Sequence, residues 1–214
     1  MAQPPKTAGG VTRTFGRRRK GEQKEELRQL ILKAASEMFI EQGYYAFSMR
    51  KLAERIGYAP ATLYLYFRDK DHLLFSVVDD AFARFRCELA QAASSAEDPE
   101  TCLNNIGDAY IRFALTHPVY YQLMFMWRVD YLLKTRQGEE APRMAAFQVL
   151  VDAVRDAQRK GAVKPGDPRM YSDLMWAVMH GVAALAIQMP MFTEERAARL
   201  ARHAKEMLYL ALRP

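Results

Sequence analysis

The chain has little from which to build a disulfide framework or a metal centre. Its two cysteines, Cys87 and Cys102, show neither CxxC nor zinc spacing, and none of its four histidines, His72, His117, His180 and His203, falls in an HExxH pair. No GxSxG, phosphate loop or dinucleotide fingerprint occurs either. The expectation is a reduced, non-enzymatic protein that needs no metal and no cofactor. Long apolar runs are also missing. The most apolar stretch, Trp176 to Ile187, contains His180 and Gly181 and is too short to span a bilayer. No apolar run follows the N-terminal basic residues, so no secretory signal is visible. These absences point to a cytoplasmic protein with no membrane partner. Acidic residues are absent from residues 1–20, which hold Lys6, Arg13, Arg17, Arg18, Arg19 and Lys20. Outside that stretch the chain has 25 Lys and Arg against 25 Asp and Glu, so the formal charge of +6 belongs entirely to its N-terminal end. A uniformly basic, histone-like protein is excluded.

What is present is helical periodicity. Residues 1–21 are rich in Gly, Pro and basic residues and read as a flexible basic arm. From Leu27 onward, Leu27, Leu30, Ile31, Ala34, Ala35, Met38 and Phe39 mark one face of a helix, with Gly43 as its stop. Ser48 suits the N-cap of a short second helix ending at Gly57. Pro60 starts a third helix that runs to about Phe67, and Asp69 caps a long fourth one. Further helical segments read near 99–116, 118–127, 142–160, 168–189 and 194–212, with Pro118 and Gly161 as breaks. The fold class is all-α, with about nine helices. Residues 22–68 form a small N-terminal unit and residues 69–214 a larger one.

Two short helices joined by a tight Gly-containing turn and backed by a longer helix make helix-turn-helix anatomy. Many helical proteins contain such a corner, so the residues have to decide. The run Ile31 to Phe39, then Gly43 and Tyr44, Ser48 and Met49, Leu52 and Ala53, Gly57, Thr62 to Phe67, Asp69 to Asp71, and Leu73 and Leu74 resembles the DNA-binding domain of the TetR family of bacterial regulators. Trp176, His180 and Gly181, with His117, Pro118, Met124 and Phe125, are similar to the subgroup whose ligand-binding domain carries a Trp…His-Gly signature. The resemblance implies a homodimer that lays its third helix in the major groove of a palindromic operator. It also implies release by a small-molecule effector, so that the regulator is a repressor by family habit.

Within that frame Pro60, Ala61 and Thr62 stand at the start of the reading helix, where base edges are met. Thr62 offers a hydroxyl and a methyl group, and Tyr64 and Tyr66 offer hydroxyls to phosphate. Leu65 departs from the family, where a polar or aromatic residue is common, and can touch only a thymine methyl or a sugar edge. Ser48, Arg50 and Lys70 are backbone candidates, as are Arg17, Arg18, Arg19 and Lys20 along the strand or in a minor groove. Leu63 and Phe67 read as plain core.

Eight of the eighteen residues from Tyr110 to Trp127 are aromatic or Met, against 36 in 214 overall, so the density asks for an explanation. A well-packed core is one. A plastic apolar ligand cavity is the other, formed by Phe113, His117, Tyr120, Tyr121, Met124 and Trp127 with Trp176, Met179, His180 and Ala183. Gly181, Ala184 and Ala186, with Leu200, Ala204, Met207 and Leu208 of the last helix, are candidates for a dimer interface. A helical ligand-binding protein or enzyme with no DNA role remains the alternative. Residues 21–72 carry eight basic and eight acidic residues, so the reader itself is formally neutral. Deleting residues 1–20 should therefore weaken binding to all DNA and flatten its salt dependence while keeping operator preference, as measured by titrations of operator and random duplexes at several salt concentrations. Loss of the preference would make the arm a reader of sequence.

Overall fold

The computed structural model describes residues 12–126 and 142–214. Among the described residues the chain forms α1 (Thr12–Ala46), α2 (Met49–Ile56), α3 (Pro60–Tyr64), α4 (Lys70–Ser94), α5 (Pro99–Thr116), α6 (Pro118–Phe125), α7 (Pro142–Arg159), α8 (Pro168–Gln188) and α9 (Glu194–Leu212), and no strand. Two compact units result, residues 1–74 and 75–214. The division lies inside α4. The start of α4 is held by the first unit: Asp69 accepts from the His72 backbone N–H at 2.8 Å, and the His72 ring packs against Phe67.

In the first unit α1 begins at Thr12, so residues 12–21 are helical where a flexible arm was expected. Arg and Lys are good helix formers, and extending an existing helix needs no new nucleus. Regular geometry breaks at Gly43, whose φ of 74° and ψ of 168° fit the expected stop. Ile31, Ala35, Met38, Phe39, Leu52, Ala53, Leu63 and Phe67 are buried as the periodicity required, but Leu30 is exposed. α2 and α3, at 8 and 5 residues, are too short to cover the N-terminal part of α1.

The turn between α2 and α3 is set by Gly57 at φ 74°, where the N–H of Tyr58 reaches Ala53 O at 2.9 Å and that of Gly57 reaches Glu54 O at 3.2 Å. This left-handed closure satisfies the carbonyls that a helix end leaves over. Ser48 occupies the N-cap position of α2, but its side chain makes no capping bond. α3 stops at Tyr64 because its last turn tightens, with Tyr66 N and Phe67 N both donating to Leu63 O.

In the second unit α5 is central and packs against α6, α7, α8 and α9, while α8 also packs against α7 and α9. Asp98, Asp167 and Thr193 cap α5, α8 and α9 through their side chains. α8 is long and apolar enough by length and composition to cross a bilayer, because the helix starts at Pro168, well before the apolar stretch that looked too short. Its neighbours α5, α7 and α9 bury only part of that apolar surface. Gly57→Ala should cost the first unit about 1 kcal/mol or somewhat more, since an L side chain is strained at this φ. Chemical denaturation followed by circular dichroism should show the loss.

Candidate functional site

Each unit presents one candidate site. In the first, the α3 N-terminus stands out from the unit: Pro60 and Ala61 are exposed, Thr62 and Tyr66 half-buried, Tyr64 exposed and Leu65 78% exposed. Leu63 and Phe67 anchor the helix from below, so one face is core and the other is free to read. Tyr45 and Tyr58 are also exposed in this unit. Sequence reasoning passed over them, although Tyr58 directly follows the turn glycine Gly57, a usable signal.

The cations of this unit are largely engaged within it. Arg55 joins α2 to α1, bonding Glu41 at 2.6 Å and Glu37 at 3.0 Å, and its guanidinium holds the Glu41 carboxyl below the ordinary range. Arg50 pairs with Glu54 at 3.1 Å and Arg68 with Asp69 at 2.9 Å. Lys70 donates to the Tyr44 carbonyl at 2.9 Å and lies 3.9 Å from the centroid of the Tyr44 ring, a cation–π contact. The Tyr44 hydroxyl bonds Asp71 in turn. Tyr44 thus clamps the end of α1 to the first turn of α4.

In the second unit a cavity of about 560 Å³ opens among α4, α5, α6, α7, α8 and α9. Phe82 and Phe85 come from α4, Leu103, Gly107 and Tyr110 from α5, Phe147 and Leu150 from α7, and Lys205, Leu208 and Tyr209 from α9. α8 contributes a stripe at helical spacing, Arg169, Asp173, Trp176 and His180. A Cβ on Gly107 would lie 2.9 Å from the Lys205 side chain, so only glycine lets that stem cross α5. The Lys205 ammonium continues to Asp108 and to Asn104 O.

A chain of polar atoms joins three of these lining residues, Tyr110, Trp176 and His180, to the buried Tyr121. Trp176 Nε1 donates to the Tyr110 hydroxyl at 3.1 Å. The Tyr110 and Tyr121 hydroxyls are 2.8 Å apart, and His180 Nδ1 is 2.7 Å from that of Tyr121 and 3.3 Å from that of Tyr110. Burial pushes both phenols well above the ordinary tyrosine range and holds the His180 imidazole below the ordinary histidine value. All three groups are therefore neutral near pH 7.

Two family models match this architecture. Residues 31–77 match the bacterial regulatory proteins of the tetR family, and residues 103–208 match the tetracyclin repressor-like C-terminal domain. The chain belongs to the TetR family. It is a ligand-responsive, DNA-binding transcriptional regulator. It is 28% identical over 162 residues to the HTH-type transcriptional regulator UidR of Escherichia coli K12, covering 73% of this chain and 80% of that one. The fatty acid degradation regulator FadR of Bacillus halodurans shares the fold at a TM-score of 0.75 and 18% identity, over 85% of this chain and 94% of that one. A TetR-family regulator from Shewanella sp. PV-4 superposes at 0.65 and 20% identity, over 86% and 97% of the two chains.

In this TetR-family regulator the cavity takes in Met124, Trp176, Met179 and His180 from the residues that the sequence suggested. It leaves out Phe113, His117, Tyr120, Tyr121 and Ala183. Phe113 is buried a turn beyond the cavity wall of α5, between Phe85 and His117. His117 forms the α5–α6 junction beside Glu88, and Tyr120 lies next to Arg84. Ala183 is fully buried, and Tyr121 supports His180 from behind. Trp127 lies outside the described residues, as do the side chains of Arg17, Arg18, Arg19 and Lys20. Leu208, expected at a dimer interface, lines the cavity together with Lys205 and Tyr209 of α9. Phe82, Phe85 and Phe147 line the cavity without having been singled out in the sequence.

The depressed His180 pKa sets the sign of a pH effect. The folded state favours the neutral ring, so its contribution to stability is complete above the ordinary value of 6.5 and is lost as pH falls through the lower folded value. Thermal melts between about pH 7 and pH 5 should show a falling midpoint. His180→Phe should flatten that fall.

Proposed function

We propose that this TetR-family regulator is a repressor that grips a palindromic operator as a homodimer and is released by a small, largely apolar effector. The observation that carries the reading is the cavity. A domain needed only as scaffold would fill about 560 Å³ with side chains, since protein interiors pack nearly as densely as organic crystals. Effector binding would favour the conformation with the weaker grip on DNA, which is a shift of populations between two states. The cytoplasm is where such a protein meets its operator.

On the DNA side Pro60, Ala61 and Thr62 would approach base edges, Leu65 a thymine methyl or sugar, and Tyr64, Tyr66, Ser48 and Arg50 the backbone. Arg50 would exchange an exposed partner, Glu54, for phosphate, a small cost at the surface. Lys70 spends one donor on Tyr44 and has two left for phosphate. Arg17, Arg18, Arg19 and Lys20 occupy early turns of α1 and would add charge beside the reader.

The second subunit would dock on α8 and α9. Added side-chain volume at Gly181 meets nothing within 4 Å, Ala184, Ala186 and Ala204 are half-buried, and Leu200 and Met207 are exposed. Apolar residues left open along two adjacent helices fit a face that is covered in a dimer. Fluorescence anisotropy with an operator selected by the purified protein tests the DNA side. Thr62→Ala and Tyr64→Ala should each weaken binding about tenfold, and Lys70→Ala should weaken it on every sequence and lower the salt slope by about one. Unchanged binding in all three variants would sink the assignment of the reading head.

A further inference from the structure

We infer that the cavity recognises its effector through a hydrogen bond donated by His180 Nε2–H to an uncharged acceptor, such as a carbonyl oxygen, on an otherwise apolar molecule. This rests on reading the cavity as the effector site. The argument is a proton count along the polar chain. The indole of Trp176 can only donate, and it donates to Tyr110. Tyr110 and Tyr121 each bring one further proton, and the acceptors within reach are each other's oxygens and His180 Nδ1. If Nδ1 is unprotonated, every proton has an acceptor: Trp176 donates to Tyr110, Tyr110 to Tyr121, and Tyr121 to His180. If Nδ1 carried the proton and donated to Tyr121, the Tyr121 proton would turn to Tyr110 and the Tyr110 proton would have nowhere to go. Tyr110 is only 6% exposed, and a buried donor left unpaired costs about 1–3 kcal/mol. The chain therefore places the imidazole proton on Nε2.

That nitrogen has no partner among the described residues, and with Nδ1 turned to the tyrosines it belongs to the ring edge facing the cavity. Of the other polar lining groups, Glu100, Asn104, Arg169 and Asp173 lie toward the far end of α5 and α8, about 16 Å for the eleven residues from Arg169 to His180. Between the two ends the wall is apolar apart from Tyr209 and Lys205, whose ammonium is taken up by Asp108 and Asn104 O. A carboxylate brought to His180 would lose its hydration and meet a neutral donor, which is unfavourable, whereas a ketone or ester oxygen loses little and gains a bond.

Butyrophenone and butylbenzene share one skeleton and differ only in the carbonyl, so they serve as probes. Saturation-transfer NMR titrations of the full-length protein should give butyrophenone about fivefold tighter binding, in the range of one neutral hydrogen bond. His180→Phe should bring the two within about twofold of each other. Equal binding of both probes to the unaltered protein, or a preference that survives His180→Phe, overturns the inference and leaves the effector cavity standing. Failure of both probes to bind overturns the cavity reading and the inference with it. Long-range 15N–1H NMR of the histidine rings needs no variant. A proton on Nε2 of His180 is expected, and one on Nδ1 would overturn the proposal.

Discussion

Four polar side chains lie amid an apolar helical unit, and they satisfy one another. Trp176 and His180 come from α8, Tyr110 from α5 and Tyr121 from α6, so three helices meet in a single hydrogen-bonded chain. Apolar packing alone tolerates small slides of one helix along another. A chain through two buried phenols does not, since a shift of an ångström or so leaves the hydroxyl of Tyr110 or Tyr121 unpaired. The rings of Phe85 and Phe125 then pack edge-on and tilted around Tyr110 and Tyr121, and Phe113 packs against Phe85. The position of the cavity follows from that arrangement, because its α5 and α8 walls are the same helices that carry the chain.

The first unit solves a different problem with exposed charge. Its ion pairs are surface pairs, worth little singly as stability. Their effect is geometric. Arg55 fastens α2 to α1 by a forked contact with two carboxylates, and Tyr44 holds both Lys70 and Asp71. α2 and α3 are too short to be stable helices alone. Held by a small core and these clasps, they can present Thr62 and Tyr64 with a defined backbone. A neutral head of this kind has little attraction for DNA in general.

Helix boundaries were legible because the chain punctuates them chemically. Gly43, Gly57 and Gly161 all take positive φ, and Pro60, Pro99, Pro118, Pro142 and Pro168 open helices. The stripe Trp176, Met179 and His180 was legible for the same local reason, a spacing of three and four. What could not be read was which aromatic faces which neighbour. Tyr120 and Tyr121 are adjacent and chemically identical, yet one borders Arg84 at the edge of the unit and the other is fully buried. Periodicity tells which residues share a face; it does not tell what covers that face. The Lys70–Tyr44 and Arg55–Glu37 contacts span 26 and 18 residues, beyond any local pattern.

Of the polar chain, Tyr110, Trp176 and His180 line the cavity and Tyr121 stands behind its wall. Leu103, Met144, Phe147 and Leu150, which shape the space, are not members of the polar chain. Exchanging one of these for another apolar residue changes the outline of the cavity without orphaning a buried hydrogen bond. Part of the cavity's shape is thus encoded apart from its polarity. Descendants of this chain can drift toward molecules of new outline in single mutational steps, each nearly neutral for folding, while the anchoring imidazole stays where it is.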